Sequence, residues 1–160
     1  MAIWKESTIT PKKIHCGWGT LDRACKHIAK SIQFNINCIV GVSRGGLVPA
    51  TILAHRLNVR ELHTIGIRSY NLDHICDHAE IYQNCFKNCK DIYNGKNILI
   101  VDDISDRGNT FLKVMEEARK CQSNINILTA CIYARETTDY TPHFFYKKIK
   151  SEWVVFPYEK

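Results

Sequence analysis

No stretch of this chain approaches the roughly 18 consecutive apolar residues that a membrane-spanning helix needs. Residues 1–13 are polar and hold no apolar core of an export signal, so a cytoplasmic location is expected. Repeats, low-complexity tracts and linkers are absent, which leaves a single domain over residues 1–160 as the expectation. Cys-x-x-Cys pairs are missing too. The cluster His74, Cys76, His78, Cys85 and Cys89 therefore reads as a polar, adaptable loop rather than a structural zinc site. A Gly-Lys-Ser/Thr ending is also lacking after the first glycine-rich turn, which argues against a nucleoside-triphosphate loop.

What is present suits a soluble globular chain with one real core: 160 residues, 45% apolar and 24% charged. The net charge of +6 fits a phosphate-rich partner, but does not separate a nucleic acid from a small phosphorylated metabolite. Lys147, Lys148 and Lys150 form the densest basic cluster and read as a solvated face. Eight cysteines would suggest disulfides in a secreted protein. Here Cys38 precedes Ile39-Val40 and Cys131 precedes Ile132-Tyr133, inside apolar runs, so they read as small buried hydrophobes with reduced thiols.

Helix and strand patterns alternate along the chain. Thr20 can cap a helix whose apolar positions, Leu21, Ala24, Cys25, Ile28, Ala29 and Ile32, share one face. Residues 37–42 form a strand that breaks into Ser43-Arg44-Gly45-Gly46, and 47–57 read as a helix with Pro49 in its first turn. A further strand is expected at 61–70. From 71 to 95 the pattern weakens into a long polar segment, partly helical, of the length usually reserved for functional or mobile connections. Residues 97–101 are apolar across Ile98-Leu99-Ile100-Val101, as befits a strand covered on both faces. A helix over 110–120 and strands at 125–134 and 153–156 complete the series. The expectation is an α/β fold with a mainly parallel sheet, whose ligand sits beyond the carboxyl ends of the strands.

The segment from Ile98 to Thr110 reads Ile-Leu-Ile-Val-Asp-Asp-Ile-Ser-Asp-Arg-Gly-Asn-Thr. Two carboxylates leave a buried strand, a third follows three residues later, and a glycine-containing loop opens a helix. Such a loop turns backbone N–H groups toward an anion, and the helix N-terminus adds partial positive charge. The carboxylates suit sugar hydroxyls or Mg²⁺.

This segment resembles the phosphoribosyl-pyrophosphate (PRPP) signature of type I phosphoribosyltransferases. Gly41-Val42-Ser43-Arg44-Gly45-Gly46-Leu47-Val48-Pro49 resembles the pyrophosphate loop of the xanthine-guanine (hypoxanthine) members. Tyr133-Ala134-Arg135 and Trp153-Val154-Val155-Phe156-Pro157-Tyr158 sit where those members bind the purine. The resemblance spans about residues 20–158 and implies a type I fold: a mainly parallel sheet flanked by helices, with a flexible hood. It further implies a cytoplasmic homodimer or homotetramer that uses PRPP, Mg²⁺ and a 6-oxopurine and binds no membrane. Asp102 and Asp103 would then hold the ribose hydroxyls, with Asp103 also near the metal. Asp106 would be the general base at purine N7. Arg107, Gly108, Asn109 and Thr110 would cradle the 5′-phosphate, and Ser43, Arg44 and Gly45 the pyrophosphate. Trp153 would stack on the base while the Val154 backbone and Arg135 read its edge.

Arg107 replaces the usual Thr, and Asn109 a frequent Gly, at positions that act through the backbone. Arg135 stands where the family has a lysine, and its planar fork is a different donor. Trp153 and the tail speak against adenine or orotate as the base. A PRPP-binding regulator of the same fold that binds nucleic acid is the rival class. Retention of both Asp106 and Arg44 favours the enzyme.

Overall fold

The computed structural model describes residues 11–72, 76–87, 93–122 and 124–159, with backbone alone for 69–72 and 76–78. Eleven elements follow in order: β1 (Lys13–His15), α1 (Trp18–Ser31), β2 (Cys38–Ser43), α2 (Leu47–Arg56), β3 (Glu61–Leu72), β4 (Cys76–Gln83), β5 (Asn97–Ser105), α3 (Asn109–Cys121), β6 (Asn126–Arg135), β7 (Phe144–Ile149) and β8 (Trp153–Val155). Six strands form one sheet in the order β4-β3-β2-β5-β6-β7, and β1 pairs with β8 in a small separate sheet. Every pairing in the large sheet is parallel except β3 with β4.

Strand β5 shows why the sheet needs helices on both sides. Leu99 and Val101 pack into one core with Leu21 and Ile28 of α1 and Leu53 of α2. Ile98 and Ile100 point the other way, into a second core with Phe111, Val114 and Met115 of α3. A strand apolar at every position must be covered twice, and here it is. Each such side chain, removed from water, stabilises the fold by roughly 1.5–3 kcal/mol.

The strand order reverses between β2 and β5. From β2 the chain builds outward through β3 and β4, and from β5 outward through β6 and β7. At such a switch point the loops leaving adjacent strands diverge and open a crevice. The two loops concerned follow Ser43 and Ser105.

Several expectations are corrected. Thr20 caps no helix: α1 begins at Trp18 behind Gly17, without a side-chain cap, and Thr20 instead accepts a hydrogen bond from Arg23 Nη2 at 3.0 Å. The polar segment beyond 70 is not helical where described, since β3 runs on to Leu72 and returns antiparallel as β4, with Ser69 opposite Ala79. This is an edge strand, where polar residues suit solvent and discourage pairing with other chains. Strand β7 was not expected. Its Lys147 and Lys148 are exposed on the opposite edge of the sheet, so the basic cluster is a solvated face that is also a strand. Helix α3 starts one residue early, at Asn109. Of the His/Cys cluster, His74 and Cys89 lie outside the described residues, and the side chains of Cys76 and His78 are not described either.

Cys38 and Cys131 are fully buried, as expected, and burial pushes both thiols up, that of Cys38 to about 12. No helix among the described residues is long and apolar enough to cross a membrane.

Candidate active site

At the carboxyl end of β5 the chain leaves the core and its carboxylates meet different surroundings. Asp102 is half-buried and its Oδ1 accepts the Asp103 backbone N–H at 2.9 Å. Burial, and then the neighbouring charge of Asp103, hold its carboxyl well above the ordinary range. Asp103 is 8% exposed and faces the β2 loop. Burial raises its carboxyl as well, opposed by the hydrogen bond that Tyr158 Oη donates to its Oδ2 at 3.0 Å. Among the described residues no ion pair reaches either carboxylate.

Two glycines let the β2 loop approach. A Cβ on Gly45 would fall 1.9 Å from Asp103 Oδ2, and one on Gly46 would fall 2.4 Å from the Val101 carbonyl. Any larger residue would push the β2 and β5 loops apart. Ser43 Oγ lies 2.8 Å from Tyr82 Oη of β4, and Arg44 is exposed. The β2 loop is thus bounded by Asp103 on one side and by the β3–β4 hairpin on the other.

The loop after β5 is held from its far side. Ser105 Oγ donates to the Tyr140 carbonyl at 3.2 Å, and Asp139 N–H donates to the Arg107 carbonyl at 3.0 Å. Gly108 has φ +87° and touches Tyr140 so closely that a Cβ would meet it at 2.7 Å. Helix α3 starts directly after Gly108, so its first N–H groups open onto the loop. A cavity of about 330 Å³ lies there, lined by Asp102, Ile104 and residues 105–111, with Ala79 of β4 at its edge. That volume falls at the lower end of the range for small-molecule sites.

Asp106 stands 61% exposed in that lining and is ion-paired with Arg135 through Nε. The same guanidinium donates from Nη1 to the carbonyls of Lys150 at 2.9 Å and Glu152 at 3.2 Å. Trp153 follows at once, 56% exposed, while Val154 is buried against β1 opposite Ile14. Tyr158 stacks on Phe156 with ring centroids 5.4 Å apart.

The structure therefore gathers Asp102, Asp106, Arg107, Gly108, Asn109 and Thr110 around one cavity. It sets Ser43, Arg44 and Gly45 across Asp103 from it, and it joins Arg135 to both Asp106 and the segment before Trp153. Asp103 itself is outside the cavity lining, turned to the β2 loop. Two residues escaped sequence reasoning. Tyr82 comes from an edge strand with no motif of its own. Tyr158 belonged to the purine-segment resemblance but carried no role, because its contact with Asp103 spans 55 positions.

The profile of the phosphoribosyl transferase domain matches residues 17–159. The chain is 29% identical over 157 residues to a xanthine-guanine phosphoribosyltransferase of Gluconobacter oxydans, spanning 94% of this chain and 88% of that relative. Identity to the protein of that name from Idiomarina loihiensis is 28% over 156 residues, 92% of this chain and 88% of the relative. The crystal structure of a purine phosphoribosyltransferase from Pyrococcus horikoshii superposes with a TM-score of 0.80 at 30% identity, covering 92% of this chain and 95% of that one.

Proposed function

The chain belongs to the phosphoribosyl transferase domain family, and on that premise we propose that it salvages purines. It moves the 5-phosphoribosyl group of PRPP onto guanine, xanthine or hypoxanthine and releases pyrophosphate. One observation carries the choice of a 6-oxopurine. Asp106 and Arg135 are ion-paired at the cavity beside exposed Trp153, with Arg135 Nε and Nη1 engaged. The N7 and the 6-oxo group are adjacent on one purine edge. Asp106 accepts the proton from N7, and the remaining Arg135 nitrogen, Nη2, donates to the 6-oxo group. A 6-amino group, itself a donor, would meet the Nη2 donor in place of an acceptor. Trp153 supplies the stacking surface for the base.

The other roles follow from position. Backbone N–H groups of 107–110 and the Thr110 hydroxyl hold the 5′-phosphate at the α3 N-terminus. Ser43, Arg44 and Gly45 bind the pyrophosphate, Arg44 offsetting the charge that develops as it leaves. Asp102 holds the ribose hydroxyls and stabilises positive charge on the ribose as the bond to pyrophosphate loosens. Strand β4 borders the site through Ala79 and Tyr82, where it limits the access of water.

Mg²⁺ fits this chemistry. The Asp102–Asp103 pair offers hard oxygen donors, carries raised pKa values and has no cationic partner among the described residues. Asp103, facing the pyrophosphate loop, would hold the ion, with Asp102 beside it. When bound, Mg²⁺ neutralises pyrophosphate oxygens. We further propose a cytoplasmic homodimer or homotetramer; light scattering after gel filtration measures the assembly.

The deciding experiment incubates the purified chain with PRPP, Mg²⁺ and guanine, xanthine, hypoxanthine, adenine or orotate in turn, following nucleotide formation by chromatography. Product is expected from 6-oxopurines alone. Asp106→Ala should lower turnover about 10²-fold or more while PRPP still binds, in line with the loss of a general base. Arg135→Ala should weaken 6-oxopurine use selectively. No product from any base, with PRPP bound, would move the reading to a PRPP-sensing regulator, which a DNA or RNA titration at moderate salt would then test.

A further inference from the structure

At the opposite end of β2 from the pyrophosphate loop, a second group of chemically active side chains converges. Cys38 opens β2, and its register partner on the adjacent parallel strand β3 is Glu61. His63 stands two residues further along β3, on the same face of the sheet because strand side chains alternate. The Cys38 Sγ, one Glu61 carboxylate oxygen and one His63 ring nitrogen all lie within 4.8 Å of one another. We propose that Cys38, Glu61 and His63 form a binding site for Zn²⁺ or a comparable borderline-soft divalent ion.

The donor set selects the metal. Zn²⁺ takes thiolate sulfur at about 2.3 Å and imidazole nitrogen or carboxylate oxygen at about 2.0–2.2 Å, in a tetrahedron. The edges of such a tetrahedron run to roughly 3.3–3.8 Å, so atoms already within 4.8 Å of one another have at most about 1.5 Å to close. Mg²⁺ prefers an octahedron of oxygens and is excluded by sulfur and nitrogen. On binding, the Cys38 thiol releases its proton to solvent and sulfur becomes a thiolate ligand. Water fills the fourth position on the open side, where the Glu61 side chain is 44% exposed.

The surroundings are those of a held site. Lys96 Nζ donates to Glu61 Oε2 at 2.9 Å and Oε1 at 3.0 Å, which fixes the carboxylate while leaving lone pairs for a metal. The edge of the Tyr93 ring meets the His63 imidazole, with centroids 5.4 Å apart and planes at 66°. Cys38 is fully buried, which shields its sulfur from solvent. Ser43 lies five steps further along β2, about 17 Å at strand rise, so this metal is not the ion proposed at Asp103. Its role is structural: it clips β2 to β3 at the foot of the sheet.

The full chain, stripped with a chelator, would be titrated with Co²⁺ and then Zn²⁺. Expected are one ion per chain, a sulfur-to-cobalt charge-transfer band, displacement by Zn²⁺ but not by excess Mg²⁺, and a higher thermal midpoint with Zn²⁺. Cys38→Ser should abolish the band, and His63→Ala should weaken binding at least tenfold. Cys121→Ser, a thiol elsewhere, should change neither. Because Cys38 is in the core, the half-buried His63 carries the test if Cys38→Ser fails to fold. Absence of the band in the unmodified chain, or undiminished affinity in His63→Ala, overturns the site. Neither result touches the phosphoribosyl transfer reading, which is measured by product.

Discussion

Asp103 and its two neighbours show how single residues set the character of the site. Gly45 is glycine because the Asp103 carboxylate occupies the space a Cβ would need. On the other side Tyr158 donates to the same carboxylate, and that bond is the largest of the influences that restrain the rise in its pKa. The tail thus orients the acid proposed to hold Mg²⁺, although it is far away in sequence. Tyr158→Phe keeps the ring that stacks on Phe156 and removes only the hydroxyl. A lost hydrogen bond to a charged group costs about 1.5–3 kcal/mol when nothing replaces it. We expect the chain to fold normally and the KM for PRPP to rise by roughly tenfold or more, with kcat changed less. Steady-state kinetics in varied PRPP checks this, and an unchanged KM would show that Asp103 needs no support from the tail.

At the scale of elements, the buried strands were legible and the edges were not. Strand β5 announced itself because every position from Ile98 to Val101 is apolar, and both faces proved to be covered. Its loop and α3 followed from the acids and glycine after it. β4 and β7 lie at the sheet edges, where polar residues are tolerated and periodicity is diluted, so the lysines of β7 read only as a solvated face and a hairpin arm as a partly helical segment. Around the candidate site, residues close in sequence, Asp102 and 104–110, share one cavity lining, whereas the contacts of Tyr82 with Ser43 and of Tyr158 with Asp103 join positions far apart and left no signal in the sequence. The start of α1 was misplaced because Thr20 has the right side chain for a cap but sits inside the first turn. Centrality also has an energetic consequence. Ile100→Ala in β5 should destabilise the chain by about 2–5 kcal/mol, as truncations in a close-packed core do. The half-exposed Ile52 of α2, replaced in the same way, should cost clearly less. Urea unfolding of both variants measures the difference.

For the molecule as a whole, one crevice is opened by topology, and burial resists the ionisation of the two carboxyls in it. Where the sheet order reverses, β2 and β5 deliver their loops side by side, and β5 brings two carboxylates with no ion pair among the described residues. Both pKa values are raised in the folded chain, mainly by burial. A group that binds its proton more tightly when folded stabilises the fold at low pH and loses that contribution as pH rises through its folded pKa. For this pair the loss begins above the ordinary aspartate value of 3.8 and is complete once both have ionised. A divalent cation binding the ionised pair acts in the opposite sense, by mass action on the folded state. Without Mg²⁺, the thermal midpoint should therefore fall across this window more steeply in the unmodified chain than in Asp102→Asn, which has only one acid left to titrate. Added Mg²⁺ should restore stability at neutral pH and do little in acid, where protons already occupy the carboxylates. Thermal scans at several pH values, with Mg²⁺ and with a chelator, read both effects. A midpoint equally insensitive to pH and Mg²⁺ in the two proteins would mean that the pair is neither strained by burial nor the place where the metal binds.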